Sequence, residues 1–441
     1  MFSQPNDSST HPKLRALSLR MACCCLVLSA LAYPAELSAR EKIIRDKSDN
    51  KSTAISESSD EIDNTLDDVK QSRKTLLPNG PMSRPAAAWE DFWHLVDEKS
   101  GLSMAFAYTT LFQAATKGNY TGPRSGGSSD FDMIGRWSLI NPDDHEGWIN
   151  EGTIGFATEY RSQFGNATPA DLGESLGSLW GITAGFNEED FTLKELWWHQ
   201  HLFDDHLAFR LGRISLDSIF DAYRFTGANH FYTNKAFSRN PTIPFPNTGL
   251  GLVFAWNPGH NLFAIVGGGS ADGREAETTT AQQGIKEWFS ATTLGWKPKH
   301  DLGTGLYQVT FWHSKARSGN PLPEATGYSI LLQQEFANGW TPFTRYAYSS
   351  AAVTDTKRII TAGVVHEGSP RKPTDRVGVA LAWGQAHNDN YRDQWTAELF
   401  YRYSITPSLR ITPLAQIIVN PAKNPYDQVI GVFGLRGRFT F

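Results

Sequence analysis

The chain has 441 residues and a net charge of −5, from 41 basic and 46 acidic side chains, which provides no electrostatic pull toward nucleic acid. Its three cysteines, Cys23, Cys24 and Cys25, are adjacent near the front, so no disulfide framework can be spread over the fold. With 26 Phe, 14 Trp, 14 Tyr and 38 Gly the chain is rich in strand-forming aromatics and in glycine, and its mean hydropathy of −0.38 does not exclude a membrane location. A barrel strand shows lipid only every second residue and averages out as polar.

Residues 1–39 resemble a secretory leader. Lys13, Arg15 and Arg20 precede the apolar run from Met21 to Ala32, and Ala30-Leu31-Ala32 or Leu37-Ser38-Ala39 offers a small-residue cleavage site. The run is shorter than the ~20 residues a spanning helix needs. Cleavage after Ala32 or Ala39 would leave an exported chain without cysteine, and so without thiol catalysis or Cys-based metal sites.

Residues 40–98 form a polar segment on the periplasmic side of the expected membrane. Ile55, Ile62, Val69 and Leu76 recur every seven residues, with Leu66 between them, a thin stripe that reads either as a short coiled coil or as a disordered or loosely helical linker. The stretch from Trp89 to Val96 reads as a short amphipathic helix leading into the next region.

From residue 99 to 441 the chain alternates with a period of two. Leu102, Met104, Phe106 and Tyr108 alternate with smaller residues. Phe131, Met133 and Trp137 alternate with Asp132 and Arg136, and Phe156 and Tyr160 with Glu159 and Arg161. Trp395, Leu399, Tyr401 and Tyr403 alternate with Glu398 and Arg402. In the last strand Phe433, Leu435, Phe439 and Phe441 oppose Arg436 and Arg438. Charge on one face of strand after strand could not be hidden in a sandwich core; a hydrated lumen removes that cost. The expected fold is therefore all-β: a transmembrane antiparallel β-barrel of sixteen strands. They are expected to start near residues 102, 131, 153, 191, 206, 249, 261, 285, 304, 327, 341, 358, 376, 394, 408 and 428. At that size the wall encloses an aqueous channel.

One interruption exceeds thirty residues, from Ile214 to Thr248. Loops of that length are usually functional. It mixes aromatics (Phe220, Tyr223, Phe225, Tyr232, Phe237) with polar groups, and folded inward it would narrow the lumen and line it with rings and hydrogen-bonding groups.

The wording of this region is similar to the carbohydrate-selective porin family (OprB). The resemblance rests on Phe209 to Asp221, His230 to Phe237 and Pro244 to Gly251, on the preceding strand Leu193 to Leu202, and on the terminal Phe-Thr-Phe. It covers about Gly101 to Phe441. It implies an outer-membrane porin that admits small sugars passively to the periplasm through an inward-folded loop, with no cofactor and no enzymatic activity. The terminal Phe441 resembles the signal read by the barrel assembly machinery, and the expected surroundings are outer-membrane lipid, sugars in transit and, in a monomer or a homo-oligomer, copies of the chain itself.

Phase and position select the expected lining: Arg136, Glu159, Glu195, Trp197 and Arg210 on strands, and Arg213, Asp217, Asp221 and Arg224 at the strand-to-loop passage. Sugar hydroxyls both donate and accept, which suits arginine forks and carboxylates, and weak binding keeps a channel conducting. A general or organic-acid porin is the nearest alternative; an exported all-β glycan-binding protein or hydrolase is a more distant one. His199 and His201 share a strand face but lack an identifiable third ligand, so no metal site is assigned. Gly267 to Gly273 lacks the helix of a dinucleotide fingerprint, and the acidic pairs at 143–144, 188–189 and 204–205 read as solvated turns.

Overall fold

A computed structural model describes residues 62, 64–66, 83–118, 122–140, 149–271, 287–301, 303–317, 322–368 and 375–441. The expected leader with its cleavage sites, and most of the polar segment, lie outside the described residues. No described helix is long and apolar enough to cross a membrane; the crossing elements are strands.

These are β1 (Leu102–Ala115), β2 (Ser125–Ile140), β3 (Ile149–Phe164), β4 (Glu189–Leu202), β5 (Leu207–Ile214), β6 (Gly249–Gly259), β7 (Leu262–Ser270), β8 (Trp288–Trp296) and the two-residue β9 (Lys299–His300). After it come β10 (Gly303–Ser314), β11 (Ala325–Phe336), β12 (Trp340–Ser349), β13 (Thr356–Glu367), β14 (Arg376–Ala386), β15 (Gln394–Ser404), β16 (Leu409–Val419) and β17 (Val429–Thr440). β8 and β9 pair with different parts of β10, so the two share one stave and the wall has sixteen. Each strand pairs antiparallel with its sequence neighbour. β1 pairs with both β2 and β17, from Ala107↔Thr440 to Ala115↔Val432, which closes the barrel and leaves no free edge. The staves begin within a few residues of the expected starts.

The alternation read from the sequence is the alternation of the wall. In β17, Leu435 exposes 52% of its surface on the outside, whereas Arg436 beside it exposes 1%. Leu196, Leu211, Leu399 and Ile417 stand outward in the same way, and Glu195, Arg210, Glu398 and Gln416 inward. At the end where both barrel termini lie, Trp137, Trp256, Trp296, Trp340 and Tyr403 are exposed on the outer face, the aromatic girdle of a membrane interface.

Helix α1 (Ser83–Ser100) precedes β1 and lies against that terminal seam. Phe106 and Phe441 bond each other's backbone at 2.8 and 3.0 Å and stack their rings at 5.5 Å, and Trp89 of α1 sits 6.2 Å from Phe441 and 5.8 Å from Phe106. Farther forward, Ile62, Thr65 and Leu66 are buried among residues of the barrel wall.

Candidate functional site: the constricted lumen

The long loop between β5 and β6 folds inward. It opens with a 3-10 turn, Leu216–Ser218, and carries a one-turn helix, α3 (Lys235–Ser238), whose first turn is capped when Asn234 Oδ1 accepts from the Ala236 N–H at 3.0 Å. The loop is fastened to the wall from β11 to β16 by buried polar bonds. Asp221, in the left-handed region at φ 57°, accepts from Asn240 at 2.7 Å and faces Arg345 of β12 at 3.3 Å. Arg345 also donates to the Ala236 carbonyl at 2.7 Å. Glu398 of β15 accepts from the backbone N–H groups of Thr233 and Asn234, each at 2.8 Å. Tyr232 donates to the carbonyls of Val364 and Val379 at 3.1 Å. Its hydroxyl lies where a Cβ on Gly378 would come within 2.9 Å, so only glycine leaves the loop this close to β14.

This departs from the expected lining. The loop's rings (Tyr223, Phe225, Phe231, Tyr232, Phe237) are buried against Phe343 and Phe400 of the wall and do not border the passage. Burying apolar rings against apolar wall residues removes them from water, which an aqueous passage would not do. Among the loop's polar members, Arg224 and Lys235 are exposed and Arg239 is half-buried.

A second inward segment, not anticipated from the sequence, joins β3 to β4. Thr168 and Asp171 form a reciprocal cap on α2 (Pro169–Ser175), and Leu172, Leu176, Trp180 and Ile182 are buried inside the barrel. It meets the first loop through Ala184 N–H to the Thr233 carbonyl and Lys235 N–H to the Gly181 carbonyl, both 3.1 Å. Gln416 bridges both loops to the wall, donating to the Ile182 carbonyl at 2.9 Å and accepting from Asn234 at 2.8 Å.

Three ionic groupings stand inside the barrel. On β2 to β4, Glu159 pairs with Lys194 at 2.6 Å and with Arg161, which donates to Asn187 at 2.7 Å. Asp130, Asp132 and Glu159 bring their carboxylates within 4.8 Å of one another, and Lys194, Arg161 and Arg438 supply the positive charge they need. Lys194 reaches this face through a bulge: Ala157 pairs with Glu195 and Thr158 with Leu193, leaving Lys194 as the extra residue. Strict alternation places it outward. On the first loop, Asp217 pairs with Arg239 at 3.0 Å. On the opposite wall, Arg224 reaches Glu335 at 2.7 Å and Glu367 at 2.5 Å, and Glu367 also meets Arg376 at 3.1 Å.

Nearer the termini, Trp197 lies flat on the wall because Gly155 faces it on β3; a Cβ there would meet the indole at 2.1 Å. Arg210 stacks on that ring at 3.9 Å, Arg136 stands 5.9 Å away, and Glu195 accepts from the indole N–H at 2.8 Å. His199 and His201 approach each other at 2.8 Å through Nε2, with Asp205 3.1 Å from His201 Nδ1.

The residues singled out in the sequence thus divide. Arg136, Glu195, Trp197 and Arg210 form one group and Glu159 another. Asp217 pairs with Arg239, and Arg224 with Glu335 and Glu367. Asp221 turns into the loop's own anchorage. Arg213 follows the outward phase of Leu211 and pairs across strands with Leu196 and Leu250, its Nε reaching the Lys194 carbonyl at 3.2 Å; a strand's fixed alternation, which the nearby loop does not override, keeps its backbone on the outer face.

A closed, sixteen-staved wall with an apolar exterior, a charged interior and an inward loop after β5 is a porin architecture. Residues 145–441 match the family profile described as "Carbohydrate-selective porin, OprB family". The chain belongs to the OprB family. The high-pH structure of Pseudomonas putida OprB superposes with a TM-score of 0.68 at 17% identity, covering 84% of this chain and 99% of that one. The low-pH structure of the same protein gives 0.50 at 16% identity and the same coverage of this chain. Among curated proteins, Porin AaxA of Chlamydia abortus (strain DSM 27085 / S26/3) is 22% identical over 274 residues, which are 59% of this chain and 60% of the relative. Porin AaxA of Chlamydia pneumoniae is 21% identical over 285 residues, 61% and 63% respectively. This OprB-family chain thus spans about three fifths of the length of the curated relatives it matches. Its fold and family are those of outer-membrane porins, channels rather than enzymes.

Proposed function

We propose that this porin lets small sugars diffuse passively into the periplasm, preferring them over ions of similar size. The observation that carries the reading is the pairing of charge along the passage. Lys194 and Arg161 answer Glu159, Arg239 answers Asp217, and Arg224 and Arg376 answer Glu335 and Glu367. Paired groups of both signs set up little net field for an ion, yet they offer fixed donors and acceptors within a few ångströms of one another, which suits vicinal hydroxyls. Binding to such groups is weak because each hydroxyl competes with an existing ion pair, and weak binding is what conduction needs.

A second reading, an organic-acid porin, is favoured by one observation: Arg402, Arg410, Arg436 and Arg438 all stand on the inner face of the last three strands. Liposome swelling separates the two. Proteoliposomes are expected to swell faster in glucose or maltose than in gluconate or succinate at equal osmolarity. Equal or faster swelling in the organic acids would replace the sugar reading by the second. We further propose that Phe441 carries the signal for the assembly machinery, and that the chain functions as a monomer or a homo-oligomer in the lipid.

A further inference from the structure

The terminal half of the lumen is covered by the chain itself. Ile62, Thr65 and Leu66 are helical and share one face by their spacing. Ile62 and Thr65 are fully buried, and Leu66 is 6% exposed. The apolar pair belongs to a buried cluster that includes Ala105, Ile134, Ala157 and Trp197. Ala105 pairs with Ile134, and Ile134 with Ala157, so these three form one lateral row on the inner face of β1 to β3. An apolar row inside a water-filled channel is unfavourable unless something covers it.

The polar contact points the same way. Arg438 donates one Nη to Thr109 of β1 at 2.6 Å and the other to Thr65 at 2.8 Å, and lies 4.0 Å from Asp132. A guanidinium lining an open aqueous lumen would be hydrated, but Arg438 is 2% exposed. The sequence from Glu57 to Asp68 carries six acidic side chains, and Arg410, Arg436 and Arg438 stand on the inner face of β16 and β17.

We propose that the stretch around Ile62 to Leu66 is a tethered plug. It is seated on the inner face of β1 to β4 and on Arg438, where it narrows the terminal mouth and screens Arg438 from solutes. Tethering presents such a segment at an effective concentration on the order of millimolar, so even a weak seat stays occupied. Ile62 and Leu66, which could serve a coiled coil between subunits, are here taken up by the barrel of their own chain. The plug is independent of which solute passes.

The test compares, in planar bilayers, the protein purified from outer membranes with a variant lacking residues 53–70. Removal is expected to raise single-channel conductance at least about twofold and to shift the reversal potential toward anion permeation, as Arg438 meets water. A folded, inserted deletion variant with unchanged conductance and selectivity would overturn the plug. A complete chain carrying Ile62→Asp and Leu66→Asp reads the same way should the deletion not fold. Independently, Thr65→Cys with Thr109→Cys, in a chain whose Cys23, Cys24 and Cys25 are replaced by serine, is expected to be bridged by a short bis-maleimide and held at low conductance. A folded barrel in which both cysteines react singly and never with each other would contradict the seat.

Discussion

At the scale of single residues, this porin separates charges that hold the fold from charges that meet the solute. Asp221 and Arg345 are both buried, face each other at 3.3 Å, and share the Asn240 and Ala236 bonds that pin the first loop. Removing one partner leaves the other as an uncompensated buried charge, at a cost of about 3–5 kcal/mol. Asp221→Ala is therefore expected to loosen the loop and not the wall: single-channel recordings should show a larger, noisier conductance while the protein keeps its heat-modifiable migration on gels. A quiet channel of unchanged conductance would place the anchorage elsewhere. Arg224 stands at the other extreme, partly exposed and bound to Glu335 and Glu367. Exposed pairs contribute little to stability, so Arg224→Ala should leave the folded barrel intact. It should weaken sugar block of the current by a few-fold, measured by titrating maltose against a fixed salt current.

At the scale of elements, the staves were legible and the devices that interrupt them were less so. Two solvents impose opposite demands on alternate residues, and Leu435 beside Arg436 repeats that contrast along the barrel. The first loop was legible as a gap too long to be a simple turn. Its rings were misplaced because composition cannot say which of two surfaces a loop turns them toward; packing on Phe343 and Phe400 decides that. The second loop escaped notice because its buried residues follow no period that points to their partners, and Leu172, Leu176 and Ile182 pack on Ile418, Ile430 and Val432, hundreds of residues away in sequence. Lys194 could not be placed from the sequence, because a one-residue bulge leaves no local mark. The seam where β17 meets β1 is the element on which closure depends. Phe441 stacks on Phe106 and approaches Trp89 of α1 there. Deleting Phe441 is expected to lower the inserted fraction in the outer membrane several-fold while synthesis and export continue, measured by fractionation and gel migration. Normal insertion would show that closure does not need it.

At the scale of the whole molecule, an apolar exterior, a closed ladder and two loops gathered inside the wall turn a chain of polar average hydropathy into a membrane channel. In the proposed function, the passage favours neutral sugars because its charges are paired. Single-channel current in a planar bilayer tests this most directly. Maltose or glucose added to a fixed potassium chloride current is expected to reduce it in a saturable way, with succinate or citrate at the same concentration having less effect. Block by the organic acids with no response to either sugar would contradict the account.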